Sequence, residues 1–228
     1  MTNKTLLDQV NQEIIACRRC ARLVEWREEV ARVKRKAYRD HEYWGKGVPG
    51  FGDPEARVLV VGLAPGAHGS NRTGRVFTGD ASGGFLFPAL YRAGFANQPL
   101  AEFRGDGLML KDLYICAVAH CVPPANKPLP EELDNCQSYL ERTLEILKPK
   151  VIVCLGRIAF ERVLRLYSVR NPAWKFGHGA LYCLDAARGI WVLCSYHPSQ
   201  QNTQTGKLTA AMFDQIWTKA KSIINEDT

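Results

Sequence analysis

Residues 58–84 read VLVVGLAPGAHGSNRTGRVFTGDASGG, and the fold follows from how that stretch is parsed. Val58 to Val61 is an unbroken apolar run, mostly β-branched, as expected of a strand buried on both faces. A glycine-dense loop follows, with Gly62, Gly66, Gly69, Gly74, Gly79, Gly83 and Gly84. Glycine at that density lets the main chain turn sharply and approach a ligand closely. From Phe85 the pattern turns helical. Strand, glycine loop and helix in that order build ligand sites at the carboxyl ends of strands in open α/β sheets. The spacing is neither a dinucleotide fingerprint nor a P-loop. His68, Asn71, Arg72, Phe77 and Asp80 give the loop polar and aromatic groups that a plain surface turn does not need.

Working outward, three further apolar runs predict strands at 113–119, 151–155 and 190–195, with a hairpin strand at 181–184. Helical patterns cover 85–93, 130–148, 158–166 and 208–224. Pro130, Glu131 and Glu132 form the expected first turn of the second of these. Strands alternating with helices imply a mostly parallel sheet covered on both faces. The expected class is therefore α/β, a three-layer α/β/α sandwich around a mostly parallel central four-stranded sheet. Residues 3–39 are expected to be mainly helical, and 41–54 to be an irregular connector. The whole chain, 1–228, is read as one domain.

The chain carries 30 Lys and Arg against 23 Asp and Glu, a net charge of +7, and its pI is near 9.0. That excess fits a polyanionic partner. No run approaches the roughly 18 apolar residues of a membrane span. The polar N-terminus, MTNKTLLDQVNQE, does not resemble a secretory signal, so a cytoplasmic location is expected. Eight cysteines in such a protein suit metal ligation or core packing better than disulfides.

Two cysteine pairs stand out. Cys17 and Cys20 form C-x2-C, and Cys121 and Cys136 bracket a proline-rich loop. Four thiolates without a nearby His ligand suit either zinc or an iron–sulfur cluster. Cys116, Cys154, Cys183 and Cys194 lie in apolar strand contexts and read as core. Two polar loops leave predicted strands beside the glycine loop. One carries Asn126 within PPANKP, and the other begins His197-Pro198-Ser199-Gln200-Gln201-Asn202. In a parallel sheet all three loops emerge at the same edge, the geometry open sheets use for binding.

GLAPGAHGSNRTGRVFTGD together with HPSQQN resembles the uracil-DNA glycosylase superfamily, most closely family 5, the b-type enzymes of bacteria and archaea. The C-x2-C pair and the pair spanning PPANKP match the cluster pattern of families 4 and 5. The resemblance covers nearly the whole chain. It implies a [4Fe-4S] cluster on Cys17, Cys20, Cys121 and Cys136, with the N-terminal helical part, about 1–56, contributing to that site. Asp80, Asn126 and His197 match polar residues implicated in family 5 chemistry. Phe77 matches the aromatic that stacks on the flipped base, and Gly62, Ala64, Pro65, Gly66 and Ala117 fall in the base-binding segments. Ala64 stands where the classical uracil glycosylases place a water-activating Asp. Leu63 replaces a Glu, and Ala117 a uracil-reading Asn, of family 4.

The implied activity is that of a monofunctional DNA glycosylase of base excision repair. It would flip uracil, and deaminated bases such as hypoxanthine, out of double-stranded DNA and hydrolyse the C1′–N bond. His68, Asn71, Arg72, Ser199, Gln200, Gln201, Asn202 and Lys207 are the expected DNA contacts, and the protein is expected to act as a monomer. The competing expectation is a non-catalytic iron–sulfur protein that binds nucleic acid through the basic stretch Arg27 to Arg39.

Overall fold

The computed structural model describes residues 1–225. Two helices lead the chain, α1 (Asn3–Ala16) and α2 (Ala21–Val33), with the C-x2-C pair in the break between them. Thr2 caps α1 by accepting from Thr5 N–H. The sequence pattern carried the helix to 39. It stops at Val33, where Lys34 takes an extended ψ of 160° with φ at 57°.

A short strand, β1 (Phe51–Gly52), precedes β2 (Val58–Gly62), every residue of which is buried. One turn of helix, α3 (Ser70–Thr73), lies inside the glycine loop. Helix α4 (Ala81–Arg92) follows it. That helix starts four residues before Phe85 because Asp80 caps it, accepting from Gly83 N–H at 3.0 Å. Then come β3 (Leu113–Ala117), α5 (Pro130–Leu147), β4 (Val151–Leu155), α6 (Arg157–Leu166), β5 (Leu181–Asp185), β6 (Ile190–Ser195), α7 (Gln200–Gln204) and α8 (Ala210–Asn225). Among the described residues no helix is long and apolar enough to cross a membrane.

The sheet order is β1-β3-β2-β4-β6-β5. The central four strands are parallel, as the apolar runs predicted. Two antiparallel edges extend them to six, β1 on β3 and β5 on β6. β1 is two residues long and β5 is half-buried throughout, so neither shows the apolar run of a central strand.

Alternation along β2 explains the layers. Val58 and Val60 face a core with Leu86, Phe87 and Leu90 of α4 and Phe213, Ile216 and Trp217 of α8. Leu59 and Val61 face the other way, against Leu140 and Leu144 of α5 and Phe160 and Val163 of α6. Cys116, Cys154 and Cys194 are buried in this second core, while Cys183 on the edge strand is half-buried. From β2 the chain moves to β3 on one side and later to β4 on the other. The crevice beyond the carboxyl ends of β2 and β4 is the topological switch point.

Candidate active site

The glycine loop leaves β2 at Gly62 and is braced from within by buried charge. Arg75 makes a bidentate pair with Asp106 at 2.8 and 2.6 Å, both side chains almost wholly buried. Burial alone would raise the Asp106 pKa. The Arg75 bonds and the N–H groups of Leu108 and Glu102 outweigh it and hold the carboxyl down at about 2. Arg72 donates to the carbonyls of His68 and Gly79 at 2.7 and 2.9 Å, with its guanidinium 4.1 Å from the Tyr38 ring centroid.

So braced, the loop holds Phe77 at a φ of 51°, a region bulky residues rarely occupy. Its ring lies against Gly62, where a Cβ would come within 3.0 Å of the ring. Gly69 is dictated in the same way by Asp80. A Cβ on Gly69 would fall 1.9 Å from Asp80 Oδ2. The Asp80 carboxyl thus has one oxygen capping α4 and the other against bare loop backbone. Burial raises its pKa, opposed by the N–H groups of Gly83 and Ser82 and by the Arg72 charge.

His197 follows β6 by two residues, and its ring centroid is 5.7 Å from that of Phe77. Burial lowers its pKa to about 4. The imidazole is therefore neutral near pH 7, an N–H donor that carries no positive charge. Asn126 follows Ala125, and both are left-handed, with φ of 56° and 52°. Its exposed side chain has no protein hydrogen-bond partner among the described residues.

These groups share one cleft of about 560 Å³, within the usual range for small-molecule sites. Gly62, Ala64, Pro65, Gly66, Phe77 and Ala117 line it together with Asp80, Asn126 and His197. Ser199, Gln200 and Gln201 form its rim from the third loop. Asn202 sits behind them, donating to the His197 carbonyl at 2.8 Å. Lys207 is exposed, with its ammonium 5.0 Å from the Tyr196 ring centroid.

The remaining expected DNA contacts fall elsewhere. Asn71 is fully buried and donates to the Arg27 carbonyl at 3.2 Å. Arg72 is buried and spends its donors on the loop carbonyls and on His41 Nδ1 at 3.2 Å. Neither is presented to a DNA surface, because the glycines let the loop fold back and draw its polar side chains inward. His68 is half-buried, with Nδ1 2.9 Å from the Tyr43 hydroxyl. Ser70 and Ser82 line the cleft as well. Their sequence signal is only that they lie among marked neighbours.

Cys17, Cys20, Cys121 and Cys136 come together on one side of this loop. Burial pushes the Cys136 thiol up to about 12. The His120 N–H opposes that, and Cys121, Cys20 and Cys17 add to it. Arg27 of α2 is buried beside them. Its Nη1 donates to Cys121 Sγ at 3.0 Å and Nη2 to the Cys17 carbonyl, while Nε has no partner. Asn135 Nδ2 donates to Cys20 Sγ at 3.4 Å. Among the described residues no group of three or more His, Cys, Asp or Glu is gathered tightly enough to hold a metal ion, so the thiols share a neighbourhood, not a coordination shell. The donor chemistry nonetheless fits an anionic thiolate-bound group. A guanidinium buried this deeply needs a counter-charge, and the Cys121 thiol is the acidic group it hydrogen-bonds. Helix α2 is tied to the cleft-lining loop through Asn71, which donates its side chain to the Arg27 carbonyl and its own N–H to Gly66 O at 3.0 Å.

The model of the "Uracil DNA glycosylase superfamily" matches residues 49–221, from the approach to β1 into α8. The chain belongs to the uracil-DNA glycosylase superfamily. It is 53% identical to a type-5 uracil-DNA glycosylase of Thermus thermophilus, over 93% of this chain and 95% of that protein. It is 48% identical to a type-5 uracil-DNA glycosylase of Mycobacterium leprae, over 95% of each. A type-4 uracil-DNA glycosylase of Archaeoglobus fulgidus is 32% identical over 85% of this chain and 81% of the relative. The matched span contains all three cleft-forming loops, whereas α1 and α2, with Cys17 and Cys20, precede it.

Proposed function

We propose that this uracil-DNA glycosylase, a hydrolase of the N-glycosylic bond, takes uracil and deaminated purines such as hypoxanthine from double-stranded DNA by flipping the nucleotide into the cleft. One observation carries the reading. Phe77, Asp80, Asn126 and His197 converge from three strand-end loops on a single cleft, in a chain of this family. A nucleic-acid-binding protein without chemistry has no need of a strained aromatic and a neutral histidine facing each other there.

The parts divide by chemistry. A C1′–N bond hidden in a duplex is reached only when the nucleotide leaves the stack. Phe77 offers a ring face to the extruded base. Breaking the bond leaves an anionic base and a cation-like sugar. His197, neutral, donates N–H to the base oxygen as negative charge grows there, and holds no proton that must first be lost. Asn126 supplies a free amide to the same base edge. Asp80 lines the same cleft, where a carboxylate favours the sugar cation or orients water. Gln200 and Gln201 reach into the gap the base leaves, and surplus Lys and Arg hold phosphates. Neither Lys127 nor Lys207 lines the cleft, so no amine is placed to form a Schiff base, and the enzyme is monofunctional.

Ala64 and Ala117 line the cleft as small apolar residues. A pocket discriminates strongly when a buried polar group is left unpaired by the wrong base. Neither alanine supplies such a group, and that supports a range beyond uracil. Cys17, Cys20, Cys121 and Cys136 would hold the [4Fe-4S] cluster, which would join the N-terminal helices to the α5 layer, with Arg27 balancing its charge.

The test is a set of duplexes that differ only in the lesion, incubated with excess protein and then heated in alkali. Strand scission at uracil and at hypoxanthine, without alkali-independent nicking, is the expected result. Scission at uracil alone would overturn the broad range. Scission at neither would overturn the glycosylase reading. Iron and acid-labile sulfide in purified protein check the cluster, and one zinc without iron would sink it.

A further inference from the structure

Before β5 lies a polar loop, Lys175-Phe176-Gly177-His178-Gly179, that the cleft does not use. His178 is half-buried, and both of its ring nitrogens are engaged. Nδ1 accepts the Tyr196 N–H at 3.2 Å, so that nitrogen is bare. Nε2 therefore carries the hydrogen and donates to the Met212 carbonyl at 3.2 Å. Burial lowers the His178 pKa, with the Met212 bond opposing, and this keeps the accepting nitrogen free of a proton.

The two partners are what give this imidazole meaning. Tyr196 immediately precedes His197, and Met212 lies in the first turn of α8. Between them residues 197–209 leave the sheet, line the cleft with His197, Ser199, Gln200 and Gln201, and return. One side chain therefore holds both ends of the excursion. Further bonds stiffen its interior. Asn202 donates to the His197 carbonyl, Ser199 caps α7, and Leu208 N–H reaches the Asn202 carbonyl at 3.0 Å. The His178 and Tyr196 rings also pack, with centroids 5.2 Å apart.

We propose that His178 is a positioning residue, a clasp that closes the neck of the loop carrying His197, Gln200 and Gln201. Through it the β5 edge of the sheet sets where His197 stands relative to the bound base. A misplacement of about 1 Å can cost about a hundredfold in rate when a group must meet a reacting atom, so a hydrogen-bonded neck matters to chemistry. The kinetic consequence rests on the glycosylase reading, but the clasp itself does not.

The experiment compares His178→Ala, His178→Asn and His178→Gln. Asn brings a carbonyl oxygen near the Nδ1 position, and Gln an amide nitrogen near the Nε2 position. Hydrogen exchange is measured on DNA-free protein, and single-turnover release on a uracil duplex. His178→Ala should speed exchange within residues 196–204 while the four central strands keep their protection. Its uracil release should fall on the order of tenfold, with Asn and Gln each recovering part. Unchanged exchange and rate in His178→Ala would overturn the clasp. So would faster exchange spread evenly over the sheet with no recovery by Asn or Gln. Wild-type protein that releases no uracil would overturn the glycosylase reading and leave the exchange test standing.

Discussion

Two clefts of this protein invite comparison, and the larger is not the candidate active site. A cleft of about 840 Å³ lies at the amino ends of the strands, beside Lys150 before β4 and Ile190 at the start of β6. The cleft at the carboxyl ends is about 560 Å³. The larger is lined by Glu141, Glu145, Lys148 and Arg188 with Leu144 and Leu166, opposite charges interspersed with aliphatic surface. Lys148 there is left-handed, but it terminates α5, where that conformation is ordinary. In the smaller cleft Phe77, Ala125 and Asn126 are left-handed without closing an α-helix, and a neutral histidine faces an aromatic. Volume alone does not single out a site. Strand polarity decides which edge gathers loops, and backbone strain marks the loops that hold side chains for a purpose.

The sharpest way to break this contrast is a pair of substitutions. His197→Ala should lower single-turnover uracil release about a hundredfold, the usual loss when one donor to a developing anion is removed. Tyr167→Phe in the larger cleft should leave the rate within about twofold. Equal losses would abolish the distinction. Next in size is a change aimed at the brace. Arg75→Ala leaves the Asp106 carboxylate buried and unpaired, which should lower unfolding free energy by about 3 kcal/mol in denaturant titration. Asp106 has a depressed pKa, so its contribution is full above the unfolded value near 3.8 and is lost as pH falls through about 2. The destabilisation should therefore shrink in acid, and a cost independent of pH would remove the ion pair from the account.

A smaller effect should sharpen the view of the base pocket. Ala117→Asn adds a polar group at the end of β3, and the ratio of hypoxanthine to uracil release should fall by about threefold or more. An unchanged ratio would show that this position does not read the base. The slightest signal concerns pH. With His197 held down at about 4, no limb belonging to it should cross the neutral range. If Asp80 must be ionised, activity is lost as pH falls through its raised pKa, at a higher pH than an ordinary carboxylate would give. Asp80→Asn should remove that limb from the single-turnover profile. A limb that survives the substitution assigns it to another group.

Much of this organisation is legible in the chain. Four apolar runs marked the four parallel strands, because strands buried on both faces leave no polar alternation to confuse the reading. Gly62, Phe77, Asp80, Asn126 and His197 are legible because each stands at a strand end or in the glycine- or proline-marked loop that leaves one. Tertiary structure alone turned Asn71 and Arg72 inward, since a long glycine loop can present the same side chain to solvent or to its own backbone with equal local ease. It alone began α4 at Asp80 and gave that carboxylate a cap to hold as well as a cleft to face. It alone paired Arg75 with Asp106 across 31 residues of sequence and set His178 beneath the loop of His197. Periodicity and punctuation are written locally, so sequence determined the strands, the edge and the loops. The partner of a buried charge or an imidazole is fixed by which surfaces meet when the layers close, and only the folded chain decided it.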